Sequence, residues 1–346
     1  MRKAGICLGS VFVLILVVAA PGFQHGVPVP AGSNADRQLE PPQEIILNVI
    51  ADDRQGLPVA DLSRDDFQVF EDGRQQLVSS FERHEGGPQP VLILLDVLNT
   101  YFGARGRAQE EVVTALQRLK ATESVYLYVL AVDGAVQAVH GMPDAAQMQT
   151  DVTPWTRDVR AMLDQAPGNA LRPPSLAYAN TRAEATFTAL RNLAAHLAEA
   201  SGRKAIVWVS HGVPTRASSA TGSSYDFEPR LQRFAAVFGQ AEIAIYAVVQ
   251  SAEGAVPNTE SSMDSQATLE EFADLTGGRL YPSDHFEEAI SQALADTRLS
   301  YRLGYHAPPG KAGGAYRKVR VVCKRSGVRV RSRQGYYLPA SVAARP

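Results

Sequence analysis

Val91-Leu92-Ile93-Leu94-Leu95 is an unbroken apolar run that stops on a carboxylate, Asp96, and continues as Val97-Leu98-Asn99-Thr100. A strand with one wet face would alternate in polarity. A strand with no polar residue suits burial on both faces of a parallel sheet. In such sheets ligands gather where the strands end, at their carboxyl edge. The run places Asp96 at such an edge.

Strand and helix patterns then alternate to about Asp296. Val112, Val113, Leu116 and Leu119 recur at helical spacing, and Val125 to Val132 is the next apolar strand. Phe187, Leu190, Ala194 and Leu197 mark a helix before the strand Ala205 to Val209, which ends at Ser210-His211-Gly212. Leu231, Phe234, Ala235 and Phe238 mark a further helix, Ile243 to Val249 a strand, and Leu269 to Leu275 a helix stopped by Gly277-Gly278. Phe286, Ala289, Ile290, Ala293 and Leu294 form the last helical face. This order predicts an α/β fold with a doubly wound, mainly parallel, Rossmann-like sheet, and with Asp96, Ser210 and Val249 at one edge.

The flanks read differently. Residues 44–85 and those after Asp296 alternate with period two, as half-buried strands do. Glu71-Asp72-Gly73-Arg74 carries the Asp-Gly signature of a tight hairpin. Residues 36–85 hold twelve acidic and five basic residues, whereas residues 297–346 hold twelve Lys or Arg and no Asp or Glu. Val319, Val321 and Cys323 alternate with Lys318, Arg320, Val322 and Lys324, and after the turn at Ser326-Gly327, Val328 and Val330 alternate with Arg329 and Arg331. That is the pattern of a half-buried hairpin with a cationic outer face. Two readings follow: the acidic and basic segments pair in one β-sandwich-like module, or the cationic face binds an anionic partner at the cell envelope.

The N-terminus begins Met1-Arg2-Lys3 and has an apolar segment from Val11 to Ala20. A basic start followed by a short apolar run is the pattern of an export signal, and the run is short for a membrane span, which needs about 20 residues. Val18-Ala19-Ala20 offers small residues for cleavage, although Pro21 follows, so an uncleaved anchor is the alternative. With the signal removed, Cys323 is the only remaining cysteine, so the fold holds by packing without an internal disulfide. The expected location is periplasmic or extracellular. The segment to residue 43, rich in Pro, Gly and Gln, reads as a flexible linker.

Several motifs occur in a fixed order along the chain. They are Leu62 to Phe81 (LSRDDFQVFEDGRQQLVSSF), Val91 to Thr100, Gly202 to Pro214 (GRKAIVWVSHGVP), Thr276 to Tyr281, Leu299 to Pro308, and the end YRKVRVVCKRSGVRVRSRQGYYLP. In this order the chain resembles the VWFA-related domain proteins described from Acidobacteria, over roughly residues 44–339. The resemblance implies an exported protein with a von Willebrand factor type A domain between β segments. It implies no established biochemical activity. The expected division is a signal peptide or anchor at 1–22, a linker at 23–43, a β segment at 44–87, the type A-like domain at 88–297, and a second β segment at 298–340 packing with the first.

The resemblance also implies a metal site, in which Asp-x-Ser-x-Ser, a Thr and a further Asp meet at the strand ends. Here Asp96 and Thr100 remain, but Leu98 stands at the first Ser and His211 at the second Asp. Thr181 and Thr186 both suit the Thr position, and Thr186 is preferred because it opens the Phe187–Leu197 helix pattern. Hard cations such as Mg²⁺ prefer oxygen ligands, whereas an imidazole suits Zn²⁺ or Ni²⁺. The expectation is a degenerate site of Asp96, Thr100, Thr186 and His211. It is metal-free, or weakly binds a divalent cation such as Mg²⁺ or Mn²⁺, or has altered metal preference. In the metal-free case Asp96 and His211 cap strand ends by hydrogen bonding.

Trp208-Val209-Ser210-His211-Gly212 resembles a nucleophile elbow, Gly-x-Ser-x-Gly, except at its first position. Trp208 is bulky for that tight turn and Pro214 follows closely. A serine hydrolase using Ser210 is thus a minor alternative. No Walker loop, Rossmann glycine fingerprint or zinc-finger cysteine spacing occurs. The leading expectation is a non-enzymatic, adhesion-type module that presents its strand-end loops, Thr215–Glu228 and Ser251–Gln266, to a protein partner. Nucleic acid is not an expected partner, and a membrane is one only if the N-terminal segment is uncleaved. The runner-up is a structural envelope component acting through the basic β module.

Overall fold

A computed structural model describes residues 44–87, 89–99, 114–115, 118, 124–140, 142, 176–213, 216–218, 224–250, 259–308 and 316–337. The N-terminal signal and linker assignments lie outside these residues. In chain order the elements are β1 (Glu44–Asp52), β2 (Phe67–Glu71), β3 (Arg74–Gln76), β4 (Val78–Glu85), β5 (Val91–Asp96), β6 (Val125–Leu130) and β7 (Val136–His140). There follow α1 (Leu176–Leu197), β8 (Lys204–Ser210), β9 (Arg216–Ser218), β10 (Ser224–Asp226), α2 (Glu228–Gln240), β11 (Ile243–Val249), α3 (Thr259–Thr276) and β12 (Arg279–Tyr281). The chain closes with α4 (Phe286–Arg298), β13 (Leu299–His306), β14 (Tyr316–Cys323), β15 (Arg329–Arg331) and β16 (Gly335–Tyr337).

All six residues of β5 are buried, as its unbroken apolar run requires. The strand lies inside a six-stranded sheet of order β12-β11-β8-β5-β6-β7. Its neighbours β6 and β8 run parallel to it, with Asp96 opposite Leu130 and Leu95 opposite Val209. Strand β11 runs parallel to β8 with Val249 opposite Ser210, so Asp96, Ser210 and Val249 end their strands on the same side of the sheet. Val91, Ile93 and Leu95 pack with Ala289, Ile290 and Ala293 of α4. Leu92 and Leu94 share the opposite cluster with Leu190 and Leu193 of α1, Leu231 of α2 and Phe272 of α3. Helix α3 ends in a Schellman motif: Gly277 has φ +74°, its N–H donates to Asp274, and the Gly278 N–H donates to the Ala273 carbonyl at 2.8 Å.

The expected fold class, a doubly wound α/β sheet, is corrected for the chain as a whole. Strands predominate, three of the four sheets are antiparallel, and only four α-helices are bounded among the described residues. The antiparallel sheets have orders β15-β1-β13-β4, β16-β14-β2-β3 and β10-β9, and β7 adds an antiparallel edge to β6. The reason is one of length. Strands β9, β10, β12 and β16 have three residues each, too few to show a period, whereas long helices and apolar runs dominate any pattern.

The two four-stranded sheets join the start of the described chain to its end. Strand β1 pairs antiparallel with β13, Leu47 opposite Leu303, and β2 pairs antiparallel with β14, Val69 opposite Val321. Between the sheets lies a third apolar cluster containing Leu47, Phe67, Val69, Tyr301, Leu303 and Val319, with the Phe67 and Tyr301 rings 5.3 Å apart. The β2–β3 turn has φ of +47° at Asp72 and +81° at Gly73, the pair of left-handed residues that a tight two-residue hairpin needs.

The expected C-terminal hairpin does not form. Strand β14 pairs with β2 and β16, while β15 crosses to the other sheet and pairs with β1, Ala51 opposite Val330. The crossing sets Arg331 against two carboxylates. Arg331 turns inward, and its Nη2 lies 2.8 Å from Asp296 Oδ2 on α4 and 3.3 Å from Asp52 Oδ2 on β1. The Tyr246 hydroxyl on β11 also donates to Asp296. Arg317 is likewise not on the outer face. It is buried beside Glu71, with Nη1 2.6 Å from Oε1, while the Tyr305 and Tyr336 hydroxyls donate to Oε2 at 2.7 and 2.6 Å.

Arg331 is the group to test, because one guanidinium faces two carboxylates that have little access to water. Replacement by Met should destabilise the protein by about 3–5 kcal/mol, the usual result of leaving buried charges uncompensated. Urea denaturation of Arg331→Met against the parent chain measures this. A loss below about 1 kcal/mol would mean that the desolvation of Arg331 cancels its ion pairs.

Candidate functional site

The strand-end edge is built around Asp96, which has no exposed surface. Both oxygens of its carboxylate accept hydrogen bonds. Oδ1 accepts the Asn99 backbone N–H at 2.9 Å, which folds the loop after β5 back onto the strand. Oδ2 accepts the Asn99 Nδ2–H at 2.8 Å, the Trp208 indole N–H at 3.1 Å and the Ser210 hydroxyl at 2.7 Å. Burial pushes the Asp96 carboxyl above its ordinary range, and the donors from Asn99, Ser210 and Trp208 pull it back. All these groups donate, so the ionised, acceptor-only form is the one the site satisfies.

Ser210 passes the network on by accepting the Gly212 N–H at 2.9 Å. Its backbone carbonyl accepts the Gln250 N–H at 2.9 Å, tying the end of β8 to the chain leaving β11. Leu98 is buried in the apolar cluster under α1, which contains Ala183 and Phe187. Its side chain adds no oxygen to the edge.

Thr186 also has no exposed surface and reaches the site from α1. It does not open a helix, as its position before Phe187 suggested. Helix α1 begins at Leu176, and its first half is Ala-rich, a composition with strong helix propensity but, beyond Leu176 and Tyr178, no large apolar side chains to mark a face. The Thr186 hydroxyl donates to the Arg182 carbonyl at 2.8 Å and accepts the Asn99 Nδ2–H at 2.8 Å. Thr181 is exposed on the same helix. Arg182 completes the group, its Nε–H donating to Asn99 Oδ1 at 3.1 Å.

His211 follows β8 beside this network, largely buried. Burial, and secondarily the Arg182 charge, push its imidazole down to about 4. It is neutral at physiological pH. Thr100 lies outside the described residues. The structure thus brings Asp96 and Thr186 together through Asn99. Pattern reading missed Asn99, Arg182 and Trp208. Trp208 alone left a signal, since an indole inside a buried strand needs an acceptor for its N–H.

The described part of this donor set, Asp96, Thr186 and His211, does not fit a divalent metal. Among the described residues no group of three or more His, Cys, Asp or Glu is arranged to hold one. Leu98 is apolar, His211 offers nitrogen, and the Asn99 amide nitrogen stands between the Asp96 and Thr186 oxygens. Ser210 is fully buried with its hydroxyl hydrogen directed at Asp96, so it is not presented as a nucleophile. The expected loops are partly regular: 216–226 carries the β9–β10 hairpin, and α3 already begins at Thr259. Residues Thr259 to Gln266 are mostly polar and showed no helical period.

No protein-family model matches the chain, and no curated protein matches it. Solved structures give weak similarities. The chain is similar to proximal thread matrix protein 1 from the mussel byssus at 12% identity and TM-score 0.35, covering 62% of this chain and 49% of that one. It is similar to a point mutant of the PilB minor pilin from Streptococcus sanguinis at 11% identity and TM-score 0.35, covering 62% and 61%. It is similar to the pilus adhesin SpaC of Lactobacillus rhamnosus GG at 9% identity and TM-score 0.37, covering 81% and 49%. The chain therefore spans about half to three fifths of these proteins. Among the described residues no helix is long and apolar enough to cross a membrane.

His211 makes the edge pH-sensitive in a defined direction. Its value falls from about 6.5 in the unfolded chain to about 4 in the folded one. Between these values the unfolded chain binds more protons, so stability is lost as pH falls from about 6.5 towards 4. Asp96, raised by burial, acts in the opposite sense, because the folded chain keeps its proton to higher pH than the unfolded one. Comparison with His211→Gln isolates the imidazole. From pH 7 to pH 5 the parent should lose about 2 kcal/mol more than the variant in urea denaturation. Equal losses would show that His211 is not held neutral.

Proposed function

We propose that this is an exported, non-enzymatic binding module that presents its strand-end edge to a protein partner in the periplasm or outside the cell. One observation carries the reading. Asp96 and Ser210, at the ends of β5 and β8, are hydrogen-bonded to each other and to Asn99, Trp208 and Gly212, and the chain forms the β9–β10 hairpin directly after β8. A catalytic edge would keep a nucleophile or base accessible, whereas this one forms a rigid base for loops. Kinship with the VWFA-related domain proteins, carried by motif order, belongs to the same proposal. Nucleic acid is not part of it, and membrane attachment depends on the N-terminal segment.

A second reading, a structural envelope component acting through the basic β module, has an observation of its own. An open groove of ≈ 790 Å³ lies between α3, β12, β14 and β15, lined by Arg279, Lys318 and Arg320 on one side and by Glu270 and Asp274 of α3 on the other. The Arg320 guanidinium stacks 4.8 Å from the Phe70 ring.

The two readings separate in one experiment. The tagged full chain is recovered from envelope extracts beside two variants, one with residues 216–226 replaced by a short Gly-Ser turn and one carrying Lys318→Glu with Arg320→Glu. The first reading expects a protein that co-purifies with the parent and the groove variant but is lost at least tenfold from the hairpin variant, with melting temperatures unchanged. Loss from the groove variant instead favours the second reading, and retention by both variants rejects both surfaces.

A further inference from the structure

We propose that the Asn99 amide, backed by the Arg182 guanidinium, occupies the place of a divalent cation, so that the strand-end edge is assembled permanently and without metal. This goes beyond the binding role and holds or fails independently of it.

The geometry is that of a bridge. A cation at this edge would gather oxygens from two elements, Asp96 at the end of β5 and Thr186 on α1. Asn99 Nδ2 lies 2.8 Å from Asp96 Oδ2 and 2.8 Å from Thr186 Oγ1, giving one N–H to each. The orientation of the amide is determined chemically. The carboxylate can only accept, and Thr186 spends its own hydrogen on the Arg182 carbonyl, leaving a lone pair towards Asn99. The amide oxygen, on the other side, accepts from Arg182 Nε at 3.1 Å. Reversing the amide would set oxygen against oxygen twice and nitrogen against guanidinium once.

Charge points the same way. A buried carboxylate calls for a compensating cation. Arg182 supplies one positive charge through the polarised amide, and it sits one helical turn before Thr186. An added divalent ion would meet that guanidinium at short range, a like-charge contact in a poorly solvated place. Distance is also unfavourable. Both oxygens stand 2.8 Å from the shared nitrogen, whereas Mg²⁺ needs ligands at about 2.0–2.1 Å. Leu98, buried against α1, closes a further direction with carbon. Asn99 is itself only 4% exposed, so the bridge is built into the fold.

The test uses the purified full chain. Calorimetric titration with Mn²⁺ and melting curves in EDTA or millimolar Mg²⁺ are recorded for the parent, Asn99→Asp and Arg182→Gln. The parent should show no stoichiometric Mn²⁺ binding and the same melting temperature in EDTA and Mg²⁺. Asn99→Asp turns the bridging donor into an acceptor facing Asp96. It should melt several degrees lower in EDTA, recover most of that loss in Mg²⁺ or Mn²⁺, and bind Mn²⁺ at least tenfold more tightly than the parent. Arg182→Gln removes the charge together with the Nε–H bond to Asn99 and should raise Mn²⁺ affinity in the same direction. Stoichiometric Mn²⁺ binding by the parent that Asp96→Ala abolishes would overturn the proposal. So would an Asn99→Asp variant that is weakened but not rescued by any cation, since the amide would then be an ordinary hydrogen bond. If Asn99→Asp does not fold, the parent titration and Arg182→Gln decide the question.

Discussion

Asp96 is a carboxylate with no contact to solvent, and the order of the strand-end edge follows from that. Leaving such a group unsatisfied costs several kcal/mol, so each of its lone pairs needs a donor. The donors come from the loop after β5 and from two positions of β8. Each is held in turn: Asn99 by Thr186 and Arg182 of α1, Ser210 by Gly212. Moving β8 or α1 relative to β5 would strip a donor from a buried charge. The edge is therefore stiff because its centre is costly to expose, and chain projecting from it starts from a fixed base.

The same logic recurs where the ends of the described chain meet the central sheet. Apolar packing between the two four-stranded sheets supplies burial, but burial is not directional. Direction comes from Glu71, which gathers Arg317, Tyr305 and Tyr336, and from Arg331, which links β15 to β1 and to α4. These groups lie inside, so they constrain register in a way that the exposed pairs, such as Arg325 with Asp61, do not. The opposite charges of the N- and C-terminal β segments thus matter less as a general attraction than through the few residues that are turned inward.

Much of this was written in the sequence, though unevenly. The apolar runs of β5, β8 and β11 announce buried strands that end together. Asp72-Gly73 announces its turn, and Gly277-Gly278 announces the end of α3. Arg317 shares the inner face with Val319 and Val321, a placement that the reading of a cationic outer face passed over. What stayed hidden were the three-residue strands β9, β10, β12 and β16 and the crossing of β15 to the other sheet. A short strand declares itself only by its partner, and partners distant in sequence leave no periodic trace. The overall balance was therefore misjudged in favour of helix-bearing sheet. The site was legible in its anchors, Asp96 and Thr186, and opaque in its bridge. Nothing in the local pattern of Val97-Leu98-Asn99 says that the amide reaches α1.

A bridge made of protein and a bridge made of metal differ in what they respond to. A bound cation can leave, and its departure costs the edge its centre whenever free metal falls. An amide and a guanidinium on the chain's own backbone have an effective concentration fixed by the fold and cannot be chelated. Their interaction weakens only when α1 parts from β5, which also unburies Leu98 and Phe187. Opening the edge is thereby coupled to loss of core packing. On the proposed metal-free bridge, the strand-end loops of this chain are supported by a site that answers to global stability, not to the ion content of the surrounding medium.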